Sequence, residues 1–165
     1  MNIPVAKIIV KMADEYRGSI HDIDHFLKVY AWAKAIGEQE IPHEESRLIL
    51  ETAAVLHDIA CPRCREKYGH AAGALQEQEG MPMTRELLEE FSLPDAFVER
   101  VVWLVGHHHT ITNVATPEHR VLLEADFLVN AAESGYSREQ ILAAEKSIFR
   151  TKTGIGLLHS LYLRD

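Results

Sequence analysis

Ionisable residues stand where apolar ones are expected. His57 and Asp58 close the run Leu48-Ile49-Leu50-Glu51-Thr52-Ala53-Ala54-Val55-Leu56, which is apolar almost all round. Asp126 lies inside Val121-Leu122-Leu123-Glu124-Ala125-Asp126-Phe127-Leu128-Val129. A charge left unpaired in such surroundings is strongly destabilising, so each of these groups needs a counter-charge, a metal or a neutral form. Taken singly, Asp126 is equally explained as a cap or an arginine partner. His25 widens the set to three apolar helices. Such helices pack with their apolar faces together, so His25, His57, Asp58 and Asp126 should converge in the core. Imidazole with carboxylate suits iron, manganese, zinc or nickel better than calcium. A metal held this way polarises a bound oxygen and lowers the pKa of a bound water to roughly 7. The chain has ten histidines, three of them adjacent at His107-His108-His109. Neighbours on a helix differ by about 100°, so the three cannot all face one site. Solvated side chains at a helix end are the alternative account of that triplet, and the lesser one beside the rest of the set.

Helical periodicity dominates the elements that must carry these residues, and no convincing strand alternation occurs. Six or seven helices are expected. The first spans about Ile3–Tyr16 and the second about Ile23–Gln39, after a turn at Gly18–Asp22. The third, about His43–His57, should be the central buried helix and should break at Cys61-Pro62-Arg63-Cys64. A helix from about His70 to Glu79 should end at Gly80. A short one, Thr84–Phe91, should be capped by Thr84, and the next should span about Asp95–His107. Thr110–Pro117 reads as a loop, Glu118–Ser134 as an apolar helix, and Arg138–Phe149 as a helix capped by Ser137. The tail Gly154–Leu163 carries the weakest pattern. The expected fold class is all-α, a helical bundle, with residues 1–165 as a single domain, a metal-site core over about 18–130 and the helices of 137–165 packed on it.

Composition narrows the partners. A chain of 165 residues with 47% apolar residues can bury a core without disulfides. The formal charge of −8 opposes binding to a nucleic acid polymer, but a small anion near a metal is still allowed. The stretch Ile3–Val10 is interrupted by Lys7 and has no cleavage pattern, and no run reaches membrane-span length. The expectation is a cytoplasmic protein without membrane contact, with its two cysteines as reduced thiols. A homodimer is compatible with the sequence.

The motifs together resemble a known family. His57-Asp58, preceded by Ala53-Ala54-Val55-Leu56 and followed by Ile59, is similar to the doublet of the HD-domain metal-dependent phosphohydrolases. His25-Phe26-Leu27-Lys28-Val29 resembles that family's first motif and Glu124-Ala125-Asp126-Phe127-Leu128 its closing aspartate motif. The resemblance implies that His25, His57, Asp58 and Asp126 hold a first metal. Gly69-His70-Ala71-Ala72-Gly73-Ala74 resembles a further motif of the two-metal members, among them the bacterial hydrolases of diadenosine tetraphosphate. Laid on that subfamily, His70 and His108 complete a second site, with His108 the preferred member of the triplet. His109 is a second ligand or a phosphate donor, and His107 ranks third. The implied cofactor is one or two divalent ions of iron, manganese, nickel, cobalt or zinc. The implied activity is hydrolysis of a nucleotide, a dinucleoside polyphosphate or a small phosphoester by a metal-activated water, with Asp58 bridging the metals.

The chain also departs from the pattern. Where many members place a lysine three residues after the doublet's aspartate, this chain has Cys61. Lys28 and Arg63 are the expected substitutes, as catalytic and substrate-binding cations. Cys61-Pro62-Arg63-Cys64 could in principle be redox-active, but it has no second CxxC and no strand–helix context, so structural thiols are expected. Two other readings are open on the same scaffold: a di-iron oxygenase, and a nucleotide-binding module without turnover.

Overall fold

The computed structural model describes residues 3–164, and those residues form nine helices and no strand. They are α1 (Val5–Glu15), α2 (Ile20–Glu40), α3 (Glu44–Leu56), α4 (Cys61–Tyr68), α5 (Gly73–Glu89), α6 (Asp95–Val105), α7 (Pro117–Glu133), α8 (Arg138–Ser147) and α9 (Lys152–Tyr162). The expected all-α class holds. The centre is α3, whose residues Ile49 to Leu56 are all buried. It packs against α2, α6, α7 and α1, while α2 and α7 also pack broadly on each other. One buried apolar cluster runs from Ile3 through Phe26, Leu50, Phe97 and Leu122 to Leu158. Burial of this apolar surface is the main stabilising term. No described helix is long and apolar enough to cross a membrane.

Three boundaries differ from the sequence expectation. The first is at the cysteine motif. The chain does leave α3 at Leu56, but Cys61-Pro62-Arg63-Cys64 opens α4 instead of a loop. Pro62 is tolerated in this first turn because the N–H it lacks would have no helical partner there. The turn between α3 and α4 is therefore short, and the His57-Asp58 doublet fills it.

The second difference is α5, which runs unbroken through both Gly80 and Pro82. Gly80 is buried, and a Cβ there would come 3.0 Å from Val105 Cγ1, so its bare backbone permits the close approach of α6. Pro82 is exposed, so the Gln78 carbonyl that loses its helical partner is on the solvent side. Packing on α6 outweighs both helix breakers. Thr84 is thus a mid-helix residue, not a cap, with a buried hydroxyl that has no hydrogen-bond partner among the described residues. The third is the tail, a regular helix from Lys152 whose start is capped by Thr151, accepting from the Gly154 N–H. Ser137 caps α8 as expected, in a reciprocal pair with Gln140.

Candidate metal centre

Four elements bring the ionisable residues together. His25 comes from the second turn of α2, His57 and Asp58 from the α3–α4 turn, His108 from the turn after α6, and Asp126 from the middle of α7. His25 Nε2 lies 3.2 Å from His57 Nε2, 3.3 Å from Asp58 Oδ2 and 3.2 Å from Asp126 Oδ1. His57 Nε2 lies 3.5 Å from Asp58 Oδ2 and 3.4 Å from Asp126 Oδ1. The other oxygen of Asp58, Oδ1, lies 3.3 Å from His108 Nε2. His57 and His108 are fully buried, and Asp58 is the most open member of the set. Tyr16 holds the doublet from below, its hydroxyl donating to the Asp58 carbonyl.

The ring nitrogens that face away from the cluster are all engaged. His57 Nδ1–H donates to Ala54 O at 2.7 Å, and His108 Nδ1–H to Val105 O at 2.7 Å. His25 Nδ1 lies 2.8 Å from Glu133 Oε2. A carbonyl can only accept, so a neutral ring in either place keeps its proton on Nδ1 and turns a lone pair inward from Nε2. The centre is thus lined by acceptors. Asp126 Oδ1 is buried there with no hydrogen-bond partner among the described residues. Ligand atoms around a transition metal at about 2.1 Å are roughly 3.0–3.4 Å apart. The observed spacings fall in or just above that range: His25, His57 and Asp58 form one set of atoms that could hold a divalent ion, and Asp126 faces the two rings of that set.

Without an ion the cluster balances its charge with protons. Burial pushes His25 down, but the carboxylates of Asp126, Asp58 and Glu133 outweigh it and lift the ring to about 9. His57 is likewise raised against its burial by Asp58 and Asp126. Burial pushes both aspartates up, yet the imidazoles facing them hold each well below the usual carboxylate range.

The histidine triplet splits three ways, as neighbours on a helical turn must. His107 turns outward, stacked on Trp103 at 4.0 Å, with its Nδ1–H donating to Trp103 O. His108 enters the cluster. His109 lies beside it, its Nε2 2.9 Å from Gln76 Oε1, and groups with Asp58 and His108 as a second set of atoms that could hold an ion. His109 is exposed as a residue, yet the protein packed around its ring and the neighbouring His108 push the ring down to about 4, which keeps it neutral.

The structure leaves three other expected site residues outside the cluster. His70 is exposed in the turn after α4, its Nδ1 accepting from the Ala72 N–H at 3.3 Å. Arg63 is on α4 with its Nε 3.7 Å from Glu79, and it lines a separate cavity of about 470 Å³ with Lys11, Tyr16 and Met83. Glu79 also accepts from Lys67 and Tyr68, so it holds two of the three α4 cations, while the third, Arg65, pairs with Asp22. Lys28 is more than half exposed, with Nζ 3.7 Å from Glu133 Oε1. Cys61 and Cys64 are free, buried thiols. Burial and the charge of Asp58 hold the Cys61 thiol far above its ordinary range, the opposite of a reactive cysteine.

Sequence reasoning missed Tyr16, Gln76 and Glu133. Glu133 had a legible signal: it follows Asp126 by seven residues, two helical turns, and so shares its face. Gln76 is hidden in the polar run Gln76-Glu77-Gln78-Glu79.

Comparison with known proteins bears on the family and the fold. The profile of the HD domain matches residues 22–142, and the chain belongs to the HD domain family. Among solved structures the chain is similar to a crystal structure of a predicted HD superfamily hydrolase from an uncultured Thermotogales bacterium. The two share 22% identity with a TM-score of 0.68, over 96% of this chain and 83% of that one. At that identity the likeness concerns the fold. No curated protein matches the chain.

Proposed function

We propose that this chain is a metal-dependent phosphohydrolase of the two-metal kind, acting on a small phosphorylated molecule such as a nucleotide, a dinucleoside polyphosphate or a small phosphoester. The carrying observation is the position of Asp58. Its Oδ2 faces His25 and His57, while its Oδ1 faces His108. One carboxylate shared by two sets of imidazoles would suit a pair of neighbouring ions. His25, His57, Asp58 and Asp126 would hold the first ion, and Asp58, His108 and His109 the second. A bound ion supplies Lewis acidity toward a phosphoryl oxygen and an activated water.

The chain's own contribution is orientation and charge. The Ala54 and Val105 carbonyls fix the His57 and His108 tautomers, and Tyr16 pins the doublet's backbone. Lys28, exposed on α2 one turn after His25, is the cation best placed to meet a phosphate. Arg63 would need to leave Glu79 to do so. The net charge of −8 supports a small substrate over a nucleic acid polymer.

The test is a panel of nucleotides, dinucleoside polyphosphates and phosphoesters, assayed with manganese, iron, nickel, cobalt or zinc on protein purified without chelator. Metal-dependent phosphate release that Asp58→Ala lacks is the expected result. A fully metallated protein that releases nothing from the whole panel would overturn the reading.

A further inference from the structure

The three inward-facing imidazoles are not oriented alike. His57 and His108 each give their outer proton to a carbonyl three residues earlier in the same stretch of chain, Ala54 and Val105. Those acceptors are neutral and local. His25 has no such partner. Its Nδ1 meets a carboxylate from another helix, Glu133 Oε2 at 2.8 Å, across 108 positions of sequence. Glu133 is largely buried, and its Oε1 has no hydrogen-bond partner among the described residues. It sits two turns after Asp126 on α7, so a single helix grips both nitrogens of one ring: Asp126 Oδ1 lies 3.2 Å from Nε2 and Glu133 Oε2 2.8 Å from Nδ1. The same carboxylate faces Lys28 Nζ at 3.7 Å and His21 Nε2 at 4.0 Å at the mouth of the site.

We infer that Glu133 is a positioning residue of the metal centre: it accepts the Nδ1–H of His25, holds that ring with Nε2 turned inward, and makes Nε2 a stronger donor to a divalent cation in the first position. A carboxylate behind a metal-binding imidazole raises the basicity of the ring, and losing such a partner lowers metal affinity by about 10–100-fold. The effect should be confined to the first position, because His108 has its own carbonyl. The inference rests on the metal centre proposed above.

The experiment measures metal binding, independent of turnover. Manganese and zinc affinities are determined by chelator competition for the wild-type chain, Glu133→Ala, Glu133→Gln, His25→Ala and the double variant, with circular dichroism as a check on folding. Glu133→Ala should weaken the first equivalent by about 10–100-fold and spare the second. Glu133→Gln, which keeps a carbonyl oxygen for the Nδ1–H, should recover part of that loss and also serves if the alanine variant does not fold. In the His25→Ala background, removing Glu133 should add nothing, whereas a residue that only supports the fold would add its full effect. Unchanged affinity in both Glu133 variants, or full additivity with His25→Ala, would overturn the role of Glu133 and leave the metal centre standing. A wild-type chain that binds no divalent ion would overturn both.

Discussion

Helix α7 carries two buried carboxylates two residues apart, and the chain uses them in opposite ways. Glu124 is fully buried. Its Oε1 accepts the N–H groups of Arg150 and Thr151 at 2.7 and 3.0 Å, and its Oε2 accepts the Thr151 hydroxyl at 2.5 Å. Those donors lie just before α9, at its cap residue Thr151 and the preceding Arg150, where backbone N–H groups have no helical partner. A Cβ at Gly154 would come 2.1 Å from Oε2, so any larger residue there would push the Glu124 carboxylate off its donors. Burial raises the Glu124 pKa against these hydrogen bonds. Asp126 points the other way, into imidazoles, and keeps one oxygen without a hydrogen-bond partner among the described residues. Its pKa is depressed in spite of burial, by the facing His25 and His57 rings through their polar contact and then their charge. Burial alone therefore does not mark a functional carboxylate. What differs is whether the partners are fixed backbone donors, which complete the group, or titratable rings, which leave room for a cation.

Substitution at the two ends of that contrast should separate cleanly. The largest effect belongs to the shared ligand: Asp58→Ala should lose both ions and lower phosphate release by roughly 10³-fold or more, read by metal analysis and product assay. Asp126→Asn should lose the first ion while the chain stays folded. Glu124→Ala should do the reverse. It should cost about 2–4 kcal/mol of stability by stranding the α9 donors, measured by urea unfolding, and leave metal affinity as in the wild type. A Glu124→Ala variant that loses metal but not stability would break the contrast.

The metal-free chain should show the same opposition against pH. The folded-state pKa of His25 is about 9, above the ordinary value of 6.5. Its contribution to stability is therefore fully present below pH 6.5 and lost as pH rises through 9. The thermal midpoint of the metal-free protein should fall over that window, and metal affinity should rise over it as bound protons become easier to displace. Asp58 and Asp126 act from the acid side. Their pKa values are lowered, so their contribution is present above the ordinary value of 3.8 and lost on further acidification. Glu124 is raised and has the opposite sign, losing stability as pH climbs past its ordinary 4.5. A midpoint that stays flat between pH 6.5 and 9 would contradict the His25 balance.

The smallest predicted difference lies in the second position. His109 groups with Asp58 and His108, while His70 is exposed outside that group. His109→Ala should therefore weaken the second equivalent of metal by about 10-fold, and His70→Ala by less. The reverse order would return the second position to the ligand pair that the family resemblance implies.

The legibility of this chain varies with the range of the interaction. The apolar run before His57 and the one around Asp126 were readable because a charge in such a run is conspicuous in one dimension, and Ser137 with Gln140 because a cap is local. The continuity of α5 was not readable. Gly80 and Pro82 are breakers by local propensity, and only the face of α6 against Gly80 overrides them. Cys61 to Cys64 looked like a stop because a proline ends one helix and begins another equally well.

By itself, then, the order of residues determined the helical class, the central place of α3 and the convergence of His25, His57, Asp58 and Asp126, since apolar periodicity and misplaced charge are both local properties. The tertiary structure decided the rest: which member of the triplet turns inward, that Arg63 is anchored by Glu79, that His70 stays outside, and that Glu133 stands behind His25. Each of those outcomes is a contact between helices distant in sequence, set by how their faces pack.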